Sequence, residues 1–204
     1  MSNVRSIYWD TIKGILIFLV VLGHTGTALG DKVLSVIYAF HMPAFVFVSG
    51  YFSRKKPYHE YIKNTRRLVL IYLIFDITYI VLDFVLGSKI TIARLLSPSF
   101  TLWYILCLIY WRAVLQFLPD KFLNNSSLII FSTFFLGIIA GFIPLGTQVS
   151  FQRAFVFMPF FFLGYYVKQY QLLEKMKSLN SSYLILFLSY LKYYLLPLPS
   201  RFLL

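Results

Sequence analysis

Several ionisable side chains stand inside or at the ends of long apolar runs: Asp10, Lys13 and His24 in the first run, His41 in the second. A histidine, whose unperturbed pKa is about 6.5, can take the proton of an attacking hydroxyl at neutral pH. Lys13 and His24 are eleven residues apart. On a helix that spacing returns them to one face after about three turns, separated by roughly 16 Å along the axis. Asp10 lies one turn before Lys13 on the same side. The face therefore offers a cation near one end and an imidazole farther along, so an anion could meet Lys13 before its other end reached His24. The bland reading is a histidine bonded to a neighbouring oxygen and holding helices together; spacing alone leaves both readings open.

The second run contains His41-Met42-Pro43, then Ser49 and Gly50. Pro43 has no backbone donor and clashes with the preceding turn, so it predicts a kink and a freed carbonyl near residue 39. A kink beside a histidine suits a polar pocket; it suits equally a packing kink in which His41 satisfies that backbone. Asp76 and Asp83 share a face of the third run and are expected to pair with a cation such as Arg112, with proton handling as the lesser reading. Arg112 and Arg153 sit near run ends, where a long side chain can simply reach the interface. Three histidines, one of them His59 in a polar stretch, and the single Cys107 make no metal-ligand set, so no metal is expected. Neither a phosphate loop nor a nucleophile elbow is present. The Phe155–Phe162 run reads as packing or lipid-facing surface.

The elements that must position these residues are membrane helices. The sequence is 59% hydrophobic and 13% charged, about half the charge of a soluble domain, and its 204 residues leave no space for an added soluble domain. Apolar runs near 10–29, 33–52, 68–86, 101–118, 127–145 and 151–170 each approach the roughly 20 residues a span requires. A seventh candidate, 183–196, is short, holds Lys192 and runs into Pro197. The expected fold is an all-α, polytopic transmembrane bundle of six spans plus that seventh candidate, forming a single domain over 1–204. The first run has no cleavage-site pattern and reads as a retained span. With the N-terminus in the cytoplasm, twelve basic residues fall inside (Arg5, Arg54, Lys55, Lys56, Lys63, Arg66, Arg67, Arg112, Lys121, Lys168, Lys175, Lys177) and six outside. That bias sets the orientation, and it explains the net charge of +12 without nucleic acid. Tyr8, Trp9, Trp103 and Tyr104 fit interfacial anchoring.

Two blocks resemble the acyltransferase-3 family of membrane O-acyltransferases, in particular its fucose 4-O-acetylase-like branch. The first runs from Arg5 through Asp10, Lys13 and Gly14 to Gly23-His24; the second is Phe40-His41-Met42-Pro43 through Ser49-Gly50-Tyr51-Phe52. Weaker likeness lies in Leu102-Trp103-Tyr104 and in Arg153 followed by Pro159 to Tyr165, so the resemblance covers about residues 5–170 and leaves 171–204 unassigned. It implies that His24 is catalytic, activating a sugar hydroxyl for attack on an acyl thioester. It also implies that Lys13, where many relatives carry arginine, contacts the donor or orients the site; the exchange keeps the charge and loses the planar fork. Asp10, His41, Trp103 and Arg153 are the further donor-binding or orienting candidates. No permanently bound cofactor is implied. The donor substrate would be acetyl-CoA or another acyl-CoA, the acceptor a cell-surface or lipid-linked carbohydrate, and the location the plasma membrane. Family members are generally longer, so a C-terminally shortened chain is expected, completed by further helices or by a second copy. The competing readings are a non-catalytic or transport protein relying on Asp76 or Asp83, and an inactive remnant.

Overall fold

A computed structural model of the chain describes residues 7–25, 30–143 and 148–173, and every regular element among them is helical. In chain order these are α1 (Ile7–Thr25), α2 (Asp31–Tyr51), α3 (Tyr58–Val85), the short α4 (Ile92–Leu96), α5 (Trp103–Phe117), the short α6 (Asp120–Leu123), α7 (Ser126–Phe142) and α8 (Phe151–Gln169). Single 3-10 turns, Phe100–Leu102 and Gln148–Ser150, lead into α5 and α8. Thr91 caps α4 by accepting from the Arg94 amide at 3.2 Å, and Asn125 caps α7 by accepting from the Leu128 amide at 3.0 Å. Each cap satisfies a donor that the first helical turn leaves free.

The all-α expectation holds among the described residues. Four helical segments, Ile7–His24, Leu34–Tyr51, Tyr58–Val85 and Phe100–Phe117, are long and apolar enough to cross a bilayer. Only 6% of the α3 segment and 11% of the α1 segment is buried against protein. Their apolar side chains face outward, an arrangement that lipid accepts and water does not. Helix α3 begins at Tyr58, ten residues before the apolar run at 68, because the basic stretch that precedes the run is helical too. Helix α7 is apolar but has 17 residues. Helix α8 has 19, with Gln152, Arg153, Lys168 and Gln169 at its ends shortening its apolar middle. The candidate span at 183–196 lies outside the described residues.

The chain divides into two compact units, Met1–Tyr166 and Val167–Leu204. In the second, the described part is the last turn of α8 followed by a turn in which the Gln171 amide donates to the Lys168 carbonyl at 3.1 Å. The core of the first is made by α2, α5 and α8: Val46, Cys107, Trp111, Phe161 and Phe162 are all 0% exposed. Trp111 donates its indole N–H to the Ala154 carbonyl at 2.7 Å, and the Tyr166 hydroxyl donates to the Leu123 carbonyl at 2.7 Å. Gly50 and Gly164 let α2 and α8 meet backbone to backbone. A Cβ on Gly50 would stand 1.9 Å from the Phe161 carbonyl oxygen, and one on Gly164 would stand 2.0 Å from that of Phe47. Small residues at such crossings are how membrane helices gain close packing.

Asp76 and Asp83 do not pair with Arg112. Asp83 holds Arg94, with Nη2 and Oδ2 2.7 Å apart, and buried Asp76 accepts from the Ser99 amide at 3.0 Å and its hydroxyl at 2.5 Å. Arg94 closes the set by donating to the Ser99 hydroxyl at 2.9 Å. The correction has a simple cause: the segment after α3 folds back along it, so the nearest cation is one turn into α4 rather than on α5. This network fixes the strap that enters α5.

Candidate active site

A cavity of about 600 Å³ opens between α1, α2, the start of α5 and α8, and His24, His41, Trp103 and Arg153 all line it. Most of its remaining wall is apolar, including Ile17, Val21 and Phe157. His24 of the first motif block and His41 of the second are thus brought to one chamber with Trp103 and Arg153 of the weaker likenesses.

His24 stands at its rim, exposed, with its ring 4.7 Å from the Phe100 ring and 6.1 Å from that of Tyr38. The Tyr38 hydroxyl donates to the Gly23 carbonyl at 2.6 Å, tying α2 to α1 one residue before His24. His41 is 1% exposed, and its Nδ1 lies 2.5 Å from the Ile37 carbonyl oxygen. A carbonyl can only accept, so Nδ1 carries the proton and neutral His41 keeps Nε2 as an acceptor. The histidine therefore serves the carbonyl one turn behind it, not the carbonyl near residue 39 that Pro43 frees. Arg153 is held over the face of Trp103, 5.1 Å from Cζ to the ring centre, and Phe157 packs 5.5 Å from the same ring. These contacts orient the cation through ring electrostatics.

Lys13 is not in this chamber. It lines an adjoining cavity of about 250 Å³ with Ser49, Phe52, Tyr104 and Arg112. Phe45 and Tyr104 are walls of both. A hydrogen bond between the Ser49 and Tyr104 hydroxyls joins α2 to α5 at this partition. The Lys13 ammonium sits 4.1 Å from the centre of the Phe52 ring. Asp10, half-buried in the first turn of α1, lines neither cavity.

Two aromatic residues beside His24, Tyr38 in the chamber wall and Phe100 outside it, were not singled out by the sequence. Tyr38 lies three residues before His41, a spacing that puts both on one helical face and signals its place. Phe100 has no such signal. Its φ is +43°, in the left-handed region that a bulky side chain rarely adopts. The Asp76–Ser99 bonds one residue earlier, and the Leu102 amide donating back to the Ser99 carbonyl at 2.9 Å, hold it there beside His24.

Against known proteins, the acyltransferase domain of the acyltransferase-3 family matches residues 6–203. The chain belongs to the acyltransferase-3 family. That membership agrees with the resemblance read from the two motif blocks and with the apolar helices of a membrane acyltransferase. The nodulation protein NolL of Sinorhizobium fredii (strain NBRC 101917 / NGR234) is 43% identical over 61 residues, covering 26% of this chain. The matched stretch spans 17% of that relative's own length. No solved structure matches the chain.

Proposed function

We propose that this acyltransferase-3 chain moves an acetyl or other acyl group from acyl-CoA to a hydroxyl of a cell-surface or lipid-linked carbohydrate, in the plasma membrane with its N-terminus in the cytoplasm. The observation that carries this reading is the meeting of His24, His41, Trp103 and Arg153 around one chamber. The His24 imidazole takes the proton of the acceptor hydroxyl as its oxygen attacks the thioester carbonyl. A C–O bond forms, the C–S bond breaks, and the imidazolium returns the proton to the departing thiolate. The products are an ester and a free thiol, with no oxidant or reductant involved. Arg153, the cation of the chamber, faces the oxygen on which negative charge develops. His41 offers Nε2 to a hydroxyl and so helps to hold the acceptor. Trp103 and Tyr38 provide flat faces for the sugar, Phe100 backs the His24 ring, and Lys13 steadies the donor in the adjoining cavity.

A transport role through Asp76 or Asp83 is less well supported, since both carboxylates are occupied by Ser99 and Arg94. The deciding experiment is transfer of labelled acetyl from acetyl-CoA to membrane glycans. His24→Ala is expected to lower the rate by about 10²-fold or more with unchanged protein abundance, the usual contribution of a general base. Full activity in that variant would remove His24 from the mechanism.

A further inference from the structure

Helix α3 has one buried residue, and it is a carboxylate: Asp76, 6% exposed, on a helix that otherwise lies open to lipid. A carboxylate inside a span is costly unless it is paired or has a task. This one accepts from the Ser99 amide at 3.0 Å and from the Ser99 hydroxyl at 2.5 Å. Arg94 donates to the same hydroxyl at 2.9 Å, and is itself anchored by Asp83 at 2.7 Å and by the Ser97 carbonyl at 3.3 Å. Two carboxylates of α3 and a guanidinium of α4 are thus spent on fixing a single serine. The next residue is Phe100.

Phe100 holds a φ of +43° and yet leaves its side chain 60% exposed, so burial does not explain why a bulky residue accepts that backbone. Strain of this kind persists only where the surroundings impose it, and it gathers at functional sites. The ring lies 4.7 Å from that of His24 and 6.4 Å from that of Tyr79, centre to centre. Tyr79 follows Asp76 by three residues and shares its face of α3. From α2, Tyr38 stands 6.1 Å from His24 with its hydroxyl bonded to the Gly23 carbonyl at 2.6 Å. Both aromatic neighbours of His24 are therefore anchored by hydrogen bonds that have no other evident use.

We propose that Asp76 and Phe100 are positioning residues for the His24 imidazole, Asp76 acting through Ser99 and the backbone that it forces on Phe100. The functional half of this inference rests on the role given to His24 above; the coupling of α3 to the His24 ring does not. His41 is fixed by a carbonyl of its own helix at 2.5 Å. His24, at the exposed rim, is instead steadied from a different helix. A base must meet its hydroxyl within hydrogen-bond reach, and a ring free to turn at a rim spends little time there. Phe100 limits that turning, and the Asp76–Ser99 bonds keep Phe100 from relaxing to an ordinary backbone.

The test uses the full chain in nanodiscs with its histidine rings isotopically labelled, so that the three imidazoles give three sets of magnetic-resonance signals, assigned by His24→Ala and His59→Ala. Phe100→Gly relieves the strain, since glycine adopts positive φ freely; its melting temperature is not expected to fall, and the His24 signals alone are expected to move. Phe100→Tyr keeps the ring and is expected to keep both the signals and the rate. In acetyl transfer, Phe100→Gly is expected to lower kcat by about 10-fold or more while KM for acetyl-CoA changes less than about threefold, because a misplaced base slows the step without loosening the donor. Asp76→Asn is expected to move the His24 signals in the same direction and to leave those of His41 and His59 in place. Movement of all three histidines would mean general loosening and overturn the proposal. His24 signals indifferent to Phe100→Gly, or moved with kcat unchanged, would overturn it as well. A parent chain that transfers no acetyl, with His24 still following Phe100, would sink the acyltransfer reading and uphold the coupling.

Discussion

Replacing Gly50 with alanine puts the tightest contact of the bundle under direct strain. The new Cβ would lie 1.9 Å from the Phe161 carbonyl oxygen and 2.7 Å from its carbon, both backbone atoms that no rotamer can move. Ordinary carbon contacts lie near 3.5 Å, so α2 and α8 must separate by more than about 1 Å. A gap of that size forfeits a quarter to a half of the dispersion energy of each contact across it. The residues losing contact include Val46, Phe161 and Phe162, all 0% exposed. Overpacking of this kind costs about 1–3 kcal/mol, and the backbone origin of the clash places Gly50→Ala at the upper end. Gly164→Ala is expected to match it, since its Cβ meets the Phe47 carbonyl at 2.0 Å. The double variant should cost much less than the sum, because helices already parted accommodate the second methyl. Gly141 has nothing within 4 Å of its Cβ, so Gly141→Ala is the control and gains up to about 1 kcal/mol in helix propensity. Reversible unfolding in mixed micelles measures all four variants. A Gly50→Ala protein within about 0.5 kcal/mol of the parent would refute the backbone crossing.

Asp76→Asn leaves Ser99 with a weaker acceptor and is expected to cost about 1–3 kcal/mol, with a shift in Trp103 fluorescence as the strap loosens; an unchanged spectrum would disconnect the strap from the chamber. Asp83→Asn breaks a partly exposed ion pair and is expected to cost at most about 1 kcal/mol in the same unfolding assay. Trp111→Phe leaves the Ala154 carbonyl without its 2.7 Å donor and is expected to cost about 1–3 kcal/mol, read as the loss of urea resistance in detergent. Lys13→Arg keeps a cation over Phe52 and is expected to retain transfer within about threefold, whereas Lys13→Met loses the interaction and most of the rate; equal rates in the two variants would separate Lys13 from catalysis.

Much of the site was legible because intramembrane polar residues are costly and therefore conspicuous. His24, His41, Trp103 and Arg153 were each marked by an ionisable or amphipathic group in apolar surroundings, and the fold brings them to one chamber. Lys13 shows the limit of helical periodicity: the spacing places it on the face of His24, but the Phe45 and Tyr104 side chains divide that face into two cavities. Arg94 was missed as the partner of Asp83 because pairing depends on where the segment after α3 turns back, a tertiary fact with no local signature. Gly50 stood in the second motif block and Gly164 in the weaker likeness, yet which helix each one faces is decided only when α2 meets α8. The basic stretch before residue 68 hid the start of α3, since an apolar run reports the lipid-facing part of a helix and not its full length.

Gln116 exchanges two hydrogen bonds with the Lys56 backbone, at 3.1 and 2.9 Å, and these bear on the order in which the bundle assembles. Their partners are 60 residues apart in the chain. Helices α1 and α2, neighbours in sequence, can associate as soon as both have left the ribosome; the Gln116–Lys56 contact has to wait until α5 has been synthesised and inserted. During that interval the stretch around residue 56 keeps unpaired backbone groups, and the nascent protein stays open to proteolysis there until α5 closes it.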